Sequence, residues 1–343
     1  MKLDACAPGR IAVYGAYGHT GRFVVAELLR RGWTPVLCGR DADQLQAMAA
    51  DLPELDWKAA AIDDAAALDR ALQGTVGVIH CAGPFLDTGA PLLQAALRAG
   101  VPYLDCCAEQ RAVLDLARDY DAPARAAGVV AVPAMAFFGG LADLLATAAL
   151  QGASDAERID VAVGLDSWHA TTGTRLTGQR NQWPRVVVSG GQLTPLASPP
   201  PQRLWSFPPP FGEQEALALP LSETVTLSRH LHCDEVHSYM NLAPVRDVRD
   251  PDTPLPQAAD ASGRSAQRFV VDVRVQRQGR VRRALAQGRD IYAVSAPLLV
   301  EAMERVLDGR VRGRGVLSPG AAFDARDFLA CLSPNAFSVS YPT

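Results

Sequence analysis

The stretch that decides the fold is Arg10-Ile11-Ala12-Val13-Tyr14-Gly15-Ala16-Tyr17-Gly18-His19-Thr20-Gly21, which runs on to Arg31 and stops at Gly32. Arg10–Tyr14 reads as a buried strand, and Thr20–Arg31 as an amphipathic helix with apolar residues at helical spacing. The glycines between them are spaced G-x-x-G-x-x-G. Gly15 permits a sharp exit from the strand, Gly18 lets backbone N–H groups approach a pyrophosphate, and Gly21 allows the helix to pack closely on the sheet. The helix N-terminus adds a partial positive charge that attracts phosphate. A lone glycine pattern also suits an ordinary turn. Its place between this strand and this helix makes it a dinucleotide fingerprint, with Tyr17, His19 and Thr20 as flanking contacts.

The same alternation continues outward. Strands are expected at Thr34–Cys38, Asp56–Ile62, Val76–Cys81, Val101–Asp105 and Val129–Val132. Helices are expected at Ala42–Ala50, Ala65–Leu72, Gly89–Ala99 and Arg111–Ala127. Six strands with helical crossovers predict a Rossmann doubly wound parallel sheet of order 3-2-1-4-5-6 over residues 1–150. After about residue 152 the segments Ile159–Leu165, Arg185–Val188, Leu204–Phe207, Glu223–His230 and Arg268–Arg277 are β-branched or alternating, separated by Pro/Gly-rich turns. They predict an inserted α+β substrate domain, residues 151–290, built on a mostly antiparallel sheet. The Pro-rich stretches Pro195–Pro210 and Pro251–Pro256 read as long surface loops, suited to a lid or an interface. Helices at Ser295–Leu307 and within Gly315–Leu332 make residues 291–343 a C-terminal segment that packs back on the first domain.

Composition excludes several function classes. The 343 residues are 48% hydrophobic with net charge −4, and no basic stripe suggests nucleic acid. No signal peptide and no apolar run long enough for a bilayer is evident, so a cytoplasmic location and no membrane partner are expected. Seven scattered cysteines without a C-x-x-C pair fit reduced thiols better than a disulfide framework or a zinc cluster. Lys2 and Lys58 are the chain's lysines, the first expected near a loose terminus and the second in a strand on the far side of the first domain. A catalytic lysine, whether for a Schiff base, a P-loop or a Tyr-x-x-x-Lys pair, is therefore not expected.

The end of the second strand selects the cofactor. An NAD enzyme usually carries an acid there for the ribose 2′-hydroxyl. Here Cys38-Gly39-Arg40 has none, and a guanidinium can pair with a 2′-phosphate. NADP(H) is expected over NAD(H), with Gly39 and Arg40 at the 2′ end; the ordinary reading of Arg40 is a solvated loop residue. Asp63 suits either the adenine edge or a helix cap.

These residues carry a resemblance. Ile11 through Ala146 resembles the NADP-binding domain of the saccharopine dehydrogenase-like family, including its trans-acting enoyl reductase branch. The matching pieces are Gly15–Gly21, Gly39-Arg40, Cys81-Ala82-Gly83-Pro84-Phe85 with Gly89, Ala99–Asp105, and Gly128-Val129 leading to Pro133. Gly173-Thr174 and Gly313–Phe323 resemble the family's later pattern. The resemblance implies a Rossmann domain with an α/β substrate domain, and NADPH-linked reduction. The chain is shorter than is typical of the family, and the difference falls in the substrate domain.

In a doubly wound sheet the ligand lies beyond the carboxyl ends of the strands. Three loops therefore flank the nicotinamide: Ala82, Gly83, Pro84 and Phe85; Asp105–Glu109; and Pro133–Gly140, which contains Phe138. The proton-capable side chains there are Asp105, Cys106, Cys107, Glu109 and, further on, Asp143, with Tyr103 if its ring leaves the strand. Each has an ordinary reading too: Asp105 as a turn cap, the thiols as small buried residues, Glu109 as a helix first-turn acid, Asp143 on a solvated face. The other wall is expected from Trp168–Arg175, with Thr174 beside the substrate and Arg175 holding an anion. His230 and His232 share one face of the expected strand, with His237 nearby. They suggest His230 as a proton donor, while the missing third ligand argues against a metal.

The leading expectation is an NADP(H)-dependent oxidoreductase that reduces a C=N or activated C=C bond of a small or carrier-bound substrate. A clamp of two or more arginines would favour amino-acid chemistry, and an apolar trough would favour enoyl reduction. Trp168, Trp183 and Trp205 lean toward the trough. The competing expectation is a non-catalytic NADP-sensing protein. A homodimer is compatible with the exposed sheet and loops.

Overall fold

The computed structural model describes residues 9–342; Lys2 and Cys6 lie outside the described residues. The first half alternates strand and helix: β1 Arg10–Tyr14, α1 His19–Arg30, β2 Thr34–Gly39, α2 Ala42–Ala50, β3 Trp57–Ala59, α3 Ala65–Leu72, β4 Gly77–His80, α4 Phe85–Ala99, β5 Tyr103–Asp105, α5 Gln110–Ala126, β6 Val130–Val132 and α6 Gly140–Leu150. The second half holds β7 Asp155–Leu165, α7 Thr172–Arg180, β8 Val186–Ser189, β9 Gln192–Pro195, β10 Gln202–Ser206, β11 Glu213–Ala218, α8 Ser222–Ser228, β12 His232–Asn241, α9 Leu242–Arg249, β13 Arg268–Arg277 and β14 Arg280–Arg289. Then come α10 Ser295–Leu307, β15 Gly315–Val316, α11 Pro319–Ala322, α12 Ala325–Leu332 and β16 Ser338–Ser340.

The first sheet is parallel, in the order β15-β6-β5-β4-β1-β2-β3. This is the expected doubly wound order with one strand added: Gly315 and Val316 pair with Val130 and Ala131 at the β6 edge. The central strands are apolar on both sides because helices cover both faces. Lys58 caps a helix: its Nζ donates to the carbonyl oxygens of Arg70 and Gln73 at 2.9 and 3.1 Å, at the end of α3.

The second sheet runs β10-β11-β12-β7-β13-β14-β16, with β8 and β9 attached to β12. It is antiparallel except where β12 lies parallel to β7. One apolar core spans both sheets through α6 and α10, joining Ile11, Val13 and Leu141 to Leu299, Val161 and Phe269. Nearly every residue of α6 is buried, as an all-round apolar helix must be. The α10 helix is clamped to α1 by Arg31, whose guanidinium reaches Glu301 at 2.7 Å and Glu304 at 2.5 Å.

One expected strand is a helix. Glu223–His230 alternates Thr, Val and Leu, yet α8 forms there and is buried from Ser222 to Leu227. Two of its hydroxyl groups turn back on the helix: Thr226 Oγ1 donates to Glu223 O at 3.2 Å and Ser228 Oγ to Val225 O at 2.9 Å. Tertiary burial overrides the β-branched preference. No helix among the described residues is long and apolar enough to cross a membrane.

Candidate active site

The cofactor end is built by close backbone approaches. Gly15 leaves β1 at φ +87°, and a Cβ there would fall 2.9 Å from the Ala82 backbone nitrogen. A Cβ at Gly21 would strike the Gly15 carbonyl oxygen. Gly18 is the N-cap of α1 and supplies no side-chain cap, and the first turn holds no acid. The first amides of α1 are thus left open, as an anion site requires. The His19 ring stands edge-on to Phe23 and Tyr292, with centroids 5.3 and 5.2 Å away, and its Nε2 is buried without a partner among the described residues. Burial holds this imidazole below its ordinary pKa, with only Asp290 opposing. The Tyr17 ring lies over Gly39, where a Cβ would come within 2.6 Å of it. Arg40 is exposed and has no ion pair among the described residues. Asp63 is exposed beside Asp64, and Asp64 is the residue that caps α3, accepting from Ala67 N at 2.9 Å. An open helix N-terminus, an orphaned ring nitrogen and a free guanidinium fit a dinucleotide with a 2′-phosphate.

A cavity of about 670 Å³ opens where the ends of β4, β5 and β6 meet α7, α9 and the β11–α8 turn. Gly83 lines it, and a Cβ there would lie 2.8 Å from Thr177 Oγ1 of α7. The loop is held from below by fully buried His80. Burial pushes this imidazole down to about 3, so it is neutral. Its Nδ1 accepts from Ala82 N at 3.3 Å, which leaves Nε2–H to donate to Thr88 Oγ1 at 3.0 Å. The Thr88 hydroxyl in turn reaches the carbonyl oxygens of Ala82 and Pro84 at 2.8 and 2.9 Å.

Of the two acids at and just beyond the end of β5, Glu109 faces this cavity and Asp105 does not. Glu109 accepts from Phe85 N at 3.2 Å and Leu86 N at 3.4 Å, in the first turn of α4. Burial pushes its carboxyl up to about 7 against those donors, a value matched to proton transfer near neutrality. Asp105 is fully buried: its Oδ1 accepts from Cys107 N at 3.0 Å and Ala134 N at 2.7 Å, and its Oδ2 from Tyr103 O–H at 2.8 Å. Burial raises it to about 6. Tyr103 is likewise fully buried. This pair braces the β5 and β6 loops against each other and offers no atom to a ligand.

The opposite wall arrives through Gln110 and Val186. The Gln110 amide donates to Val186 O and accepts from Val186 N, both at 2.8 Å. Arg185, next to Val186, lines the same cavity as Glu109. Its Nη1 donates to Pro220 O at 2.9 Å, and it has no ion pair among the described residues. Burial lowers its pKa, opposed by Glu223, and nearby Arg249 lowers it further. Arg249, also on the cavity, has no hydrogen-bond or ion-pair partner among the described residues. Arg175 lines the cavity too, but its guanidinium is engaged with Asp250 O at 3.2 Å and Thr253 O at 2.6 Å. Thr174 Oγ1 lies 3.0 Å from Tyr292 O–H, which also takes the Trp168 indole N–H at 3.0 Å. Phe138 packs on Trp168, with centroids 5.5 Å apart, and completes an apolar wall.

The expected histidine face is not formed. His230 follows α8, and its Nε2 lies 2.8 Å from Asp143 Oδ1, away from the cavity. Burial disfavours its charge, yet the Asp143 carboxylate raises its pKa overall. His232 is exposed at the start of β12, and His237 pairs with Glu235 at 2.6 Å. Of the three tryptophans, Trp168 alone faces the cavity. Trp183 is exposed under Arg111, and Trp205 is buried against Asp272. Arg185, Arg249 and Tyr292 escaped the sequence reading. The indirect signal available was that Arg185 opens a strand in a chain rich in arginine.

Residues 11–132 match the family model described as the saccharopine dehydrogenase NADP binding domain. Saccharopine dehydrogenase-like oxidoreductases of Mus musculus and Homo sapiens are 27% identical over 157 residues and 26% over 155. Each alignment covers 40% of this chain and 36% of the relative, so the chain matches about a third of their length. The apo saccharopine dehydrogenase (L-Glu forming) of Saccharomyces cerevisiae shares the fold, with TM-score 0.69, 11% identity, and 98% of this chain and 100% of that one covered. The cofactor of the matched domain is NADP(H).

Proposed function

We propose that the chain is an NADP(H)-dependent oxidoreductase that reduces a C=N bond in a metabolite carrying a carboxylate. One observation carries this reading: a cavity at the strand ends holds a carboxyl raised to about 7 at Glu109 and the unpaired guanidinium of Arg185. The named relatives, the saccharopine dehydrogenase-like oxidoreductases, support an oxidoreductase.

When bound, the dinucleotide supplies the hydride, and the protein orients the ring and manages the proton. The amides at the start of α1 and the Arg40 guanidinium hold its phosphates. Arg185 holds the carboxylate, since a half-buried cation without an ion pair favours an anion beside it, and exposed Arg249 on the same cavity adds a second positive charge. Glu109, protonated for much of its time near neutral pH, donates to the nitrogen of the bond being reduced. Phe138 and Trp168 keep water from the reacting atoms.

A second reading is reduction of an activated C=C bond on a carrier-bound acyl chain, favoured by the apolar wall of Phe85, Phe138 and Trp168. Stopped-flow fluorescence of bound NADPH separates the two. Imines, mixtures of 2-oxo acids with amines, and enoyl thioesters are mixed in turn with the NADPH complex. Oxidation by carboxylate-bearing imines is expected. Oxidation by enoyl thioesters alone favours the second reading, and tight binding without turnover favours a sensor.

A further inference from the structure

Cys81 and Cys106 stand on neighbouring strands in equivalent places. His80 and Asp105 are register partners of the parallel pair β4–β5, and the two cysteines are the next residues along each chain. The Cys106 amide donates to His80 O at 3.3 Å, so the pairing continues one step past the strands. Register neighbours on parallel strands lie about 4.8 Å apart and point to the same side of the sheet. That separation falls within the roughly 4.4–6.8 Å span between Cα atoms that a disulfide bridges. Both residues line the cavity and both are half-buried. The neighbouring Cys81 thiol, then burial, holds Cys106 well above the ordinary thiol range. Cys107, by contrast, is fully buried and turned toward Glu109, 3.7 Å from its carboxyl.

We propose that Cys81 and Cys106 are an oxidation site, forming a reversible disulfide at the cofactor end of the cavity that weakens NADPH binding. With hydrogen peroxide as oxidant, the Cys81 thiolate attacks one oxygen, the O–O bond breaks, and a sulfenic acid forms as hydroxide leaves. The Cys106 thiol gives up its proton and attacks the Cys81 sulfur, expelling the oxygen which that sulfur had gained as a second hydroxide, and the protons released by the two thiols turn both hydroxides into water. Two thiols and one peroxide become one disulfide and two waters. A disulfide also draws the Cβ atoms to about 3.8 Å, closer than strand spacing alone sets the two backbones. The Ala82-Gly83-Pro84 turn follows Cys81 directly, so that pull falls on the backbone that flanks the cofactor. The effect on affinity rests on the NADP(H) reading above; the bond itself does not.

The test uses the full chain, freed of reductant and treated with hydrogen peroxide, then alkylated, digested and mapped by mass spectrometry. A linked Cys81–Cys106 peptide is expected, reversed by dithiothreitol and missing from Cys81→Ser and Cys106→Ser. Fluorescence titration of the untagged oxidised and reduced chains should show NADPH affinity lower by about tenfold after oxidation, an ordinary size for coupling between two sites. Recovery of both cysteines as alkylated thiols overturns the proposal, as does a link from Cys106 to Cys107 or equal affinity in the mapped disulfide form. A reduced chain that fails to bind NADPH overturns the cofactor reading and the affinity claim with it, while the peptide map still judges the bond.

Discussion

Gln110 and Val186 hold each other through a closed pair of hydrogen bonds, side-chain amide against backbone, each 2.8 Å long. Glu109 precedes one partner and Arg185 the other, so this contact brings the acid of one sheet layer and the cation of the other to one cavity. Gln110→Leu keeps the volume and removes both bonds. Carboxylate affinity, measured by calorimetry in the presence of NADPH, should fall about tenfold, since each lost buried bond costs on the order of 1 kcal/mol or more. NADPH affinity should stay within about twofold of the original, because the cradle lies elsewhere. Unchanged carboxylate binding would refute the alignment role.

Arg40 is exposed and unpaired, so its loss has little structural cost. Arg40→Ala should weaken NADPH by about ten- to a hundredfold, the range of a charge-assisted hydrogen-bond pair, and NADH hardly at all. Parallel titrations with the two cofactors decide it, and equal weakening rules out a contact with the 2′-phosphate.

Glu109 gives a pH signature that needs no substrate. Its folded value of about 7 lies above its ordinary 4.5, so the folded chain holds the proton more tightly. Its contribution to stability is fully present below about pH 4.5 and is lost as pH rises through about 7. The amount is on the order of 3 kcal/mol. Glu109→Gln stays neutral throughout. Denaturant curves should therefore show the wild type losing stability relative to the variant across that window. A constant difference from acid to neutral pH would mean that Glu109 titrates normally.

Arg185 sets binding against stability. Arg185→Met removes a half-buried charge that no acid pairs within the described chain. The melting temperature should rise by a few degrees, about 1 kcal/mol of stability, while carboxylate binding disappears. A fall in melting temperature would show that the guanidinium is satisfied in the free protein.

Asp105→Ala leaves Cys107 N, Ala134 N and the Tyr103 hydroxyl without their shared acceptor. A loss of about 3 kcal/mol or more is expected, as for other broken buried networks. Asp105→Asn retains one acceptor oxygen and should lose less. Thermal melts of the two variants check the order.

The first sheet was legible because its rules are local. Gly15, Gly18 and Gly21 sit between a buried strand and a helix, and Ile11–Tyr14 is apolar without a break. Asp105 and Glu109 looked alike in the sequence, since one ends β5 and the other follows it closely. What separates them is the Ala134 amide, which reaches Asp105 from another strand end. Arg185 read as the first residue of a strand, and its role depends on Gln110, far earlier in the chain. His230 was misread with its element: Thr224, Val225 and Thr226 suggest a strand, and burial between other elements makes them a helix. Short-range pattern finds the glycine-rich turn and the helix it opens. Long-range packing decides which polar groups face the ligand.

The added strand at Gly315–Val316 sets a condition on biosynthesis. A chain leaving the ribosome makes the Gly15–Gly21 turn, and β6 itself, long before the strand that pairs with Val130 and Ala131. Until then the cofactor layer carries a bare edge, open to pairing with another nascent chain. The order of synthesis therefore opposes the order of completion, and the first sheet can be finished only after β7 to β14 have been made.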